Sequence, residues 1–134
     1  MILHGTDTMA YTASALSFAL QGLDRPVILT GSQVPMSNIR SDARRNLVNA
    51  IEMATLPLPE VAICFNDFVY RGNRATKMSI DDFDAFASPN YPPLAEIGLN
   101  IEMRDHISAL HQINCDVAHQ FFGSGIFCSK FIPT

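Results

Sequence analysis

The sequence has few charged residues, no long apolar run and no paired cysteine motif, and each absence excludes a class of protein. Charged side chains make up 16% of the 134 residues and the formal net charge is -4, so no positive field exists to attract nucleic acid. No apolar run approaches the roughly 20 residues that a membrane-spanning helix requires. Cys64, Cys115 and Cys128 lack CxxC spacing, which predicts reduced thiols and excludes a disulfide framework.

The first residues, MILHGTDTMAY, also lack the basic start and apolar stretch of a signal peptide. Together with the reduced cysteines, this predicts a cytoplasmic protein. A hydrophobic content of 48% is enough for one ordinary core, and the length leaves no room for a second full domain.

Apolar residues recur in two patterns that predict alternating strands and helices. Short uninterrupted runs at residues 1–3, 27–30 and 61–65 are typical of buried parallel strands. Between them, spacings of three and four residues predict two amphipathic helices, with apolar faces formed by Met9, Ala13, Leu16 and Leu20 and by Leu47, Ala50, Ile51 and Ala54. This order predicts an α/β fold, an open, mostly parallel sheet flanked by helices and joined by right-handed crossovers.

The remaining segments are less regular. Residues 65–75 read as a polar loop, residues 88–93 (SPNYPP) as an extended connection, and residues 97–102 as a weak strand. Beyond Met103 the character changes, because three of the four histidines lie there. We therefore expect a domain at residues 1–103 and an atypical tail at residues 104–134, which reads like a truncated or frame-shifted end.

The HGTDT segment and one lysine offer the groups that metal-free amide hydrolysis needs. Thr6 and Asp7 lie at the start of the first predicted helix, where unpaired N–H groups favour negative charge. A threonine hydroxyl becomes a useful nucleophile only when a base removes its proton, and a lysine of lowered pKa can be that base. Lys77 is the candidate. Simple helix capping by Thr6 and Asp7 is the competing interpretation and, from spacing alone, the commoner one; Ser41 or Asp42 would cap the second helix in the same way.

Other polar groups carry weaker signals. The spacing of His106, His111 and His119 does not place three ligands on one helical face, so we predict no metal site. Arg71, Asn73 and Arg74 could bind an anion, although loop charges are more often solvated. No nucleotide-binding glycine motif is present, and no cofactor is predicted.

Several blocks of the sequence resemble the bacterial-type L-asparaginases. LHGTDTMAYTASALSF is similar to the second signature of that family, and RPVILTGSQVPMSNIRSDARRNLVNAI to its next block. FNDFVYRGNRATK and FDAFASPNYPPL resemble the block that carries the catalytic lysine. The blocks span roughly the first hundred residues in the family's order. The RSDARRN form and the lysine after RGNRAT look most like the cytoplasmic type I branch.

The resemblance implies a role for each matching position. Thr6 corresponds to the second active-site threonine, Asp7 to the residue that binds the substrate's α-amino group, and Lys77 to the lysine of a Thr-Lys-Asp relay. The resemblance therefore places the Lys77 ammonium within bonding reach of the Thr6 hydroxyl. The backbone at Ser32 would contact the scissile amide. The implied substrate is L-asparagine, hydrolysed to L-aspartate and ammonia by a homo-oligomer.

The sequence also departs from the family pattern. A TGGTI-like segment carrying the first threonine, the loop that binds the substrate carboxylate and the small C-terminal domain do not occur in it. We therefore expect this chain alone to be inactive or nearly so. Two alternatives stay open: an asparaginase-like amidotransferase subunit that supplies ammonia for tRNA-dependent glutamine synthesis, and a non-catalytic remnant that binds an amino acid.

Overall fold

A six-stranded mixed sheet dominates the computed structural model, which describes residues 1–80 and 82–104. The elements follow one another as β1 (Ile2–Leu3), α1 (Thr6–Ala19), β2 (Val27–Thr30), α2 (Ala43–Met53), β3 (Val61–Phe65), β4 (Phe68–Arg71), β5 (Thr76–Lys77), β6 (Phe86–Ala87), β7 (Ala95–Ile97) and β8 (Ile101–Met103). The large sheet has the order β1-β2-β3-β4-β7-β8, and β5 pairs with β6 in a second, two-stranded sheet. The predicted α/β class is confirmed.

The sheet is mixed rather than mostly parallel. β1, β2 and β3 pair in parallel, whereas β4, β7 and β8 join the sheet through antiparallel pairings. The direction changes at Asn66, which has a φ of 54° and, with Asp67, forms the two-residue connection between Phe65 and Phe68. Asparagine tolerates this left-handed conformation better than most residues, so the backbone can reverse there. The loop predicted at residues 65–75 therefore contains strand β4. Residues 97–102, predicted as one strand, span a hairpin that comprises the end of β7, the turn at residues 98–100 and the start of β8.

The two helices cover opposite faces of the sheet. Leu29 packs with Met9 and Ala13 of α1, whereas the hydroxyl of the next residue, Thr30, donates to the carbonyl of Asn46 in α2. Successive side groups of a strand point to opposite faces. Because β1, β2 and β3 are adjacent and parallel, two right-handed crossovers would place both helices on one face. The two crossovers therefore differ in hand, and the expectation of right-handed connections is wrong for one of them.

The buried helix faces agree with the prediction in part for α1 and differ for α2. Met9 and Ala13 are buried as expected and Leu16 packs against the core, but Leu20, predicted on the same face, is exposed at the C-cap. In α2 the buried residues are Asn46, Ala50 and Met53, whereas Ile51 is half exposed. Apolar periodicity could not find this face, because one of its buried members is a polar asparagine whose amide is hydrogen-bonded on both sides.

Three further predictions concern cysteines, the membrane and the tail. Cys64 is buried, and burial raises the pKa of its thiol to about 12, so it is an unreactive core residue. Within residues 1–80 and 82–104, no helix is long and apolar enough to cross a membrane. Apart from Arg104, the predicted tail lies outside the described residues, as do Cys115, Cys128 and the three histidines that follow Met103.

Candidate active site

Thr6 and Asp7 do not cap helix α1. The helix begins at Thr6, its N-cap residue is Gly5, and no side-group hydrogen bond caps it. Both residues therefore lie in the first turn, with side chains available for other contacts. The interpretation of these residues as simple caps is wrong, because the N-cap position is taken by a residue that has no side chain.

Lys77 contacts both of these residues across 71 and 70 positions of sequence. Its ammonium donates to the Thr6 hydroxyl oxygen at 2.9 Å and to Asp7 Oδ1 at 2.7 Å. Strand β5 holds Lys77 in place by pairing with Phe86 of β6, and Phe86 belongs to the core that includes Met9 of α1. The proximity of Thr6 and Lys77 that the family resemblance implies is thus present in the described residues.

The ion pair is asymmetric in exposure. The Lys77 side chain is 15% exposed and the Asp7 side chain 91%. The hydrogen bond and the positive charge of Lys77 hold the pKa of Asp7 below its usual value. The groups that contact the Lys77 ammonium are thus a hydroxyl and a carboxylate. Asp7 is an anion at neutral pH, and its second oxygen has no partner within residues 1–80 and 82–104.

His4 orients the turn that leads into α1. Its ring Nδ1–H donates to the carbonyl of Gly5 at 2.7 Å, and its Nε2 accepts from the Thr12 hydroxyl at 3.0 Å. Its backbone N–H donates to the carbonyl of Thr30 at 2.8 Å. The three bonds tie the end of β1 to both β2 and α1, so the position of Thr6 follows from the packing of the strands.

A cavity of about 570 Å³ opens beside the ion pair. Asp7 and Lys77 line one side, and the wall is completed by Ala10, Tyr11, Ser14, Asn73, Ala75, Thr76, Met78, Ser79 and Ile80. Its size suits a small polar ligand. Thr6 and Ser32 are not among its lining residues, so the cavity extends to one side of the Thr6–Lys77 contact.

Ser32 lies in the loop that follows β2. Its neighbour Gly31 packs tightly under the turn before α1, since a Cβ there would be 2.2 Å from the carbonyl oxygen of His4. On the other side, the Gln33 side chain donates to the carbonyl of Ile80 at 2.9 Å. Ser32, which is partly buried, therefore lies between the segments that carry Thr6 and Lys77.

Of the three residues considered for anion binding, Arg71 has a different role. Its guanidinium donates to both carboxylate oxygens of Glu60, at 2.6 and 2.5 Å, and lies 4.4 Å from the ring centroid of Tyr91. Burial acts to lower the pKa of Arg71, but the hydrogen bond to Glu60 and the charges of Glu60 and Tyr91 together raise it above its usual value. Neither interpretation offered for Arg71, an anion site or a solvated loop charge, holds, because its charge is paired with Glu60. Asn73 and Arg74 are exposed.

Sequence reasoning missed a buried polar network beside Ser32. Asp42 and Asn46 are buried and hydrogen-bond to the loop at residues 31–34 and to Asn66. Asp42 was expected only as a possible cap, and a polar residue on the buried face of α2 was the one signal that could have pointed to Asn46. Within residues 1–80 and 82–104, no group of three or more histidine, cysteine, aspartate or glutamate side chains could hold a metal ion.

Comparison with known proteins identifies the relatives of this arrangement. The family model for the N-terminal domain of asparaginase matches residues 1–109. The chain is 57% identical to L-asparaginase 1 of Escherichia coli (strain K12) over 112 residues, which cover 83% of this chain and 33% of that protein. It is 40% identical to a glutamyl-tRNA(Gln) amidotransferase subunit of Pyrococcus abyssi over 110 residues, or 77% of this chain and 25% of that protein.

A solved structure agrees with the sequence comparison. L-asparaginase I from Vibrio cholerae has a TM-score of 0.73 and 53% identity, in a match that covers 79% of this protein and 32% of that one. The chain thus spans only 33% of the length of the Escherichia coli relative. The family model, the identity and the shared fold all agree, and this chain belongs to the asparaginase N-terminal domain family.

Proposed function

We propose that this protein contributes a Thr-Lys-Asp site to an asparaginase-type amidohydrolase, which converts L-asparagine and water to L-aspartate and ammonia. The observation that carries the proposal is the double contact of Lys77 with Thr6 and Asp7, at 2.9 and 2.7 Å. An exposed ion pair alone would be an ordinary surface feature. Here the lysine of the pair also contacts the Thr6 hydroxyl, which does not cap the helix, and this third group favours a catalytic role.

Each of the three residues has a distinct task in this proposal. In its neutral form, the Lys77 amine accepts the proton of the Thr6 hydroxyl, which leaves that oxygen or a neighbouring water able to attack the amide carbon. The Asp7 carboxylate holds Lys77 through one oxygen and offers the other to the α-ammonium group of the substrate. The backbone of Ser32 contacts the amide that is cleaved. No cofactor is required by these steps.

An ammonia-supplying amidotransferase subunit is the second candidate. The amidotransferase relative from Pyrococcus abyssi supports it, since that protein matches nearly the same share of the chain. Asparaginase is favoured by the higher identity of 57% against 40%. An amidotransferase subunit would release ammonia only with its partner subunit, whereas an asparaginase needs no such partner.

A titration of the purified chain with L-aspartate and L-asparagine by calorimetry tests the site. We expect saturable binding that is lost in Asp7→Ala, because the substrate ammonium loses its anion, and weakened at least tenfold in Lys77→Met. Arg74→Met is the matched control, since it removes an exposed cation three residues away and should bind normally.

Two results would count against the proposal. Undiminished binding in Asp7→Ala would remove Asp7 from the substrate site. Once a TGGTI-like segment and a C-terminal domain are supplied, ammonia release from L-asparagine that is as fast in Lys77→Met as with the unchanged lysine would remove Lys77 from the mechanism.

The proposal includes a cytoplasmic homo-oligomer. Leu3, on the open edge of the large sheet, and Tyr11 and Phe18 on α1 are large exposed apolar residues that support burial against another surface. Sedimentation velocity at several concentrations checks this assembly, and a monomer at every concentration would contradict it.

A further inference from the structure

The loop after β2 is held from inside the protein by two buried side chains. Asp42 is 8% exposed and Asn46 is completely buried. Asp42 occupies the N-cap position of α2, yet its carboxylate does not cap the helix. The hydroxyl of Ser41 instead accepts the N–H of Ala43. The carboxylate of Asp42 is thereby available for contacts with the loop.

Asp42 and Asn46 bind successive backbone groups of this loop. The Asp42 carboxylate accepts the N–H groups of Gln33 and Val34, each at 3.0 Å. The Asn46 amide donates to the carbonyl of Gly31 at 3.0 Å and to Asp42 at 2.9 Å. The amide oxygen of Asn46 accepts the N–H of Asn66 at 3.0 Å, which ties the loop to the end of β3.

These bonds determine which way the backbone of Ser32 faces. In a trans peptide the carbonyl and the N–H point in opposite directions, and the described residues contain no cis peptide. Since the Gly31 carbonyl points towards Asn46, the Ser32 N–H points away from it. Since the Gln33 N–H points towards Asp42, the Ser32 carbonyl points away as well. Neither group has a hydrogen-bond partner among the described residues.

We infer that Asp42 and Asn46 are positioning residues, which turn the backbone carbonyl and N–H of Ser32 towards an amide bound beside Thr6 and Lys77. The inference rests on the proposed function, because it assumes that an amide binds there. The packing of Gly31 against His4 and the bond from Gln33 to Ile80 place Ser32 between the two segments of the site. Asp42 and Asn46 themselves do not touch the substrate.

The orientation of Ser32 has a chemical consequence for selectivity. The NH2 group of the asparagine carboxamide can donate to the Ser32 carbonyl, whereas the β-carboxylate of aspartate has no donor and is repelled by the carbonyl oxygen. A correctly turned peptide therefore favours L-asparagine over L-aspartate. A disturbed peptide loses that preference while the α-ammonium contact with Asp7 is retained.

The test compares the two ligands in one variant of this protein. Asp42→Asn places an NH2 group against a backbone N–H, so the loop peptides must turn. We expect calorimetry to report an affinity for L-asparagine about tenfold lower and an affinity for L-aspartate changed less than about threefold. Asp24→Asn, which changes an exposed aspartate, is the control and should alter neither affinity.

The outcomes separate this inference from the proposed function. An equal loss of both ligands, or no loss of either, overturns the positioning role. An unchanged protein that binds neither ligand overturns the proposed function instead.

Hydrogen exchange then decides the peptide orientation without any ligand or variant. The Gln33 and Val34 amides should be protected and the Ser32 amide should exchange rapidly. A Ser32 amide as protected as these neighbours overturns the inference, even if Asp42→Asn does not fold.

Discussion

Two ion pairs, which lie at opposite ends of the parallel strands, differ in geometry and in exposure to solvent. At the amino end of β3, Arg71 and Glu60 form a two-pronged pair whose side chains are 19% and 17% exposed. Beyond the carboxyl ends of β1 and β2, Lys77 makes a single contact with Asp7, whose side chain is 91% exposed. The first pair also packs against Tyr91.

The difference separates a contact that stabilises the fold from one that is available to a ligand. Both oxygens of Glu60 already bind Arg71, and both side chains are mostly buried, so little of this pair faces a ligand. Asp7 uses one oxygen and presents the other to solvent. Exposed ion pairs contribute little to stability, and partly buried ones are costly to break. We therefore expect substitutions in the Glu60–Arg71 pair to change the stability of the fold, and substitutions in the Asp7–Lys77 pair to change ligand binding.

The largest effect is expected at Gly31, in the tightly packed loop that follows β2. Gly31→Ala would bring a Cβ to 2.2 Å from the His4 carbonyl oxygen, so the backbone must shift. We expect the free energy of unfolding, measured by chemical denaturation, to fall by about 3 kcal/mol. Gly98→Ala, whose added Cβ would meet its nearest atom at 3.9 Å, is the control. A loss below about 1 kcal/mol would mean that the backbone around Gly31 shifts at little cost in free energy.

The next prediction tests how much the Glu60–Arg71 pair contributes to stability. Glu60→Ala leaves the Arg71 guanidinium partly buried without its carboxylate, and we expect a loss of about 2 kcal/mol in the free energy of unfolding. Glu52→Ala, on the exposed surface of α2, should stay within about 0.5 kcal/mol. Binding of L-aspartate should be unchanged in both variants. Equal stability of the two variants would contradict the assignment of the Glu60 pair to the fold.

The smallest effect concerns the Asp7–Lys77 pair and its response to acid pH. Because Lys77 lowers the pKa of Asp7 in the folded state, the pair stabilises the fold above the unfolded pKa of about 3.9. That contribution is lost as the pH falls through the lowered pKa. In Lys77→Met we expect the Asp7 pKa, followed by carbon NMR of its carboxyl group, to rise to its ordinary range. Arg74→Met should leave it low; a low value in Lys77→Met would mean that another group causes the shift.

The sequence predicted most of the parallel half of the fold and little of the antiparallel half. The runs that became β2 and β3 are apolar except for Thr30, and Met9 and Ala13 recur at helical spacing, so these patterns indicate burial without any knowledge of the fold. Strand β4 was hidden because Phe68, Val69 and Tyr70 are flanked by charged residues that suggested a loop. Its pairing with β3 depends on the reversal at Asn66, and local pattern does not reveal such a pairing.

The candidate site was found through resemblance, and its supporting network was not. Thr6, Asp7, Ser32 and Lys77 lie in strings similar to a known family, whereas Asp42 and Asn46 look from the sequence like a helix cap and an ordinary helix residue. Their importance comes from the loop that folds back over α2. The catalytic and binding roles of the four site residues stay predictions.

By itself, the sequence determined the α/β class, the helix faces that are purely apolar and the residue types available for chemistry. These follow from local periodicity and composition, which act over a few residues. The family resemblance implied that Lys77 lies near Thr6, but only the tertiary structure decided that the helices lie on opposite faces and that Asn46 is buried. Contacts between residues far apart in sequence depend on which strands pair and how loops close, and no short pattern encodes that choice.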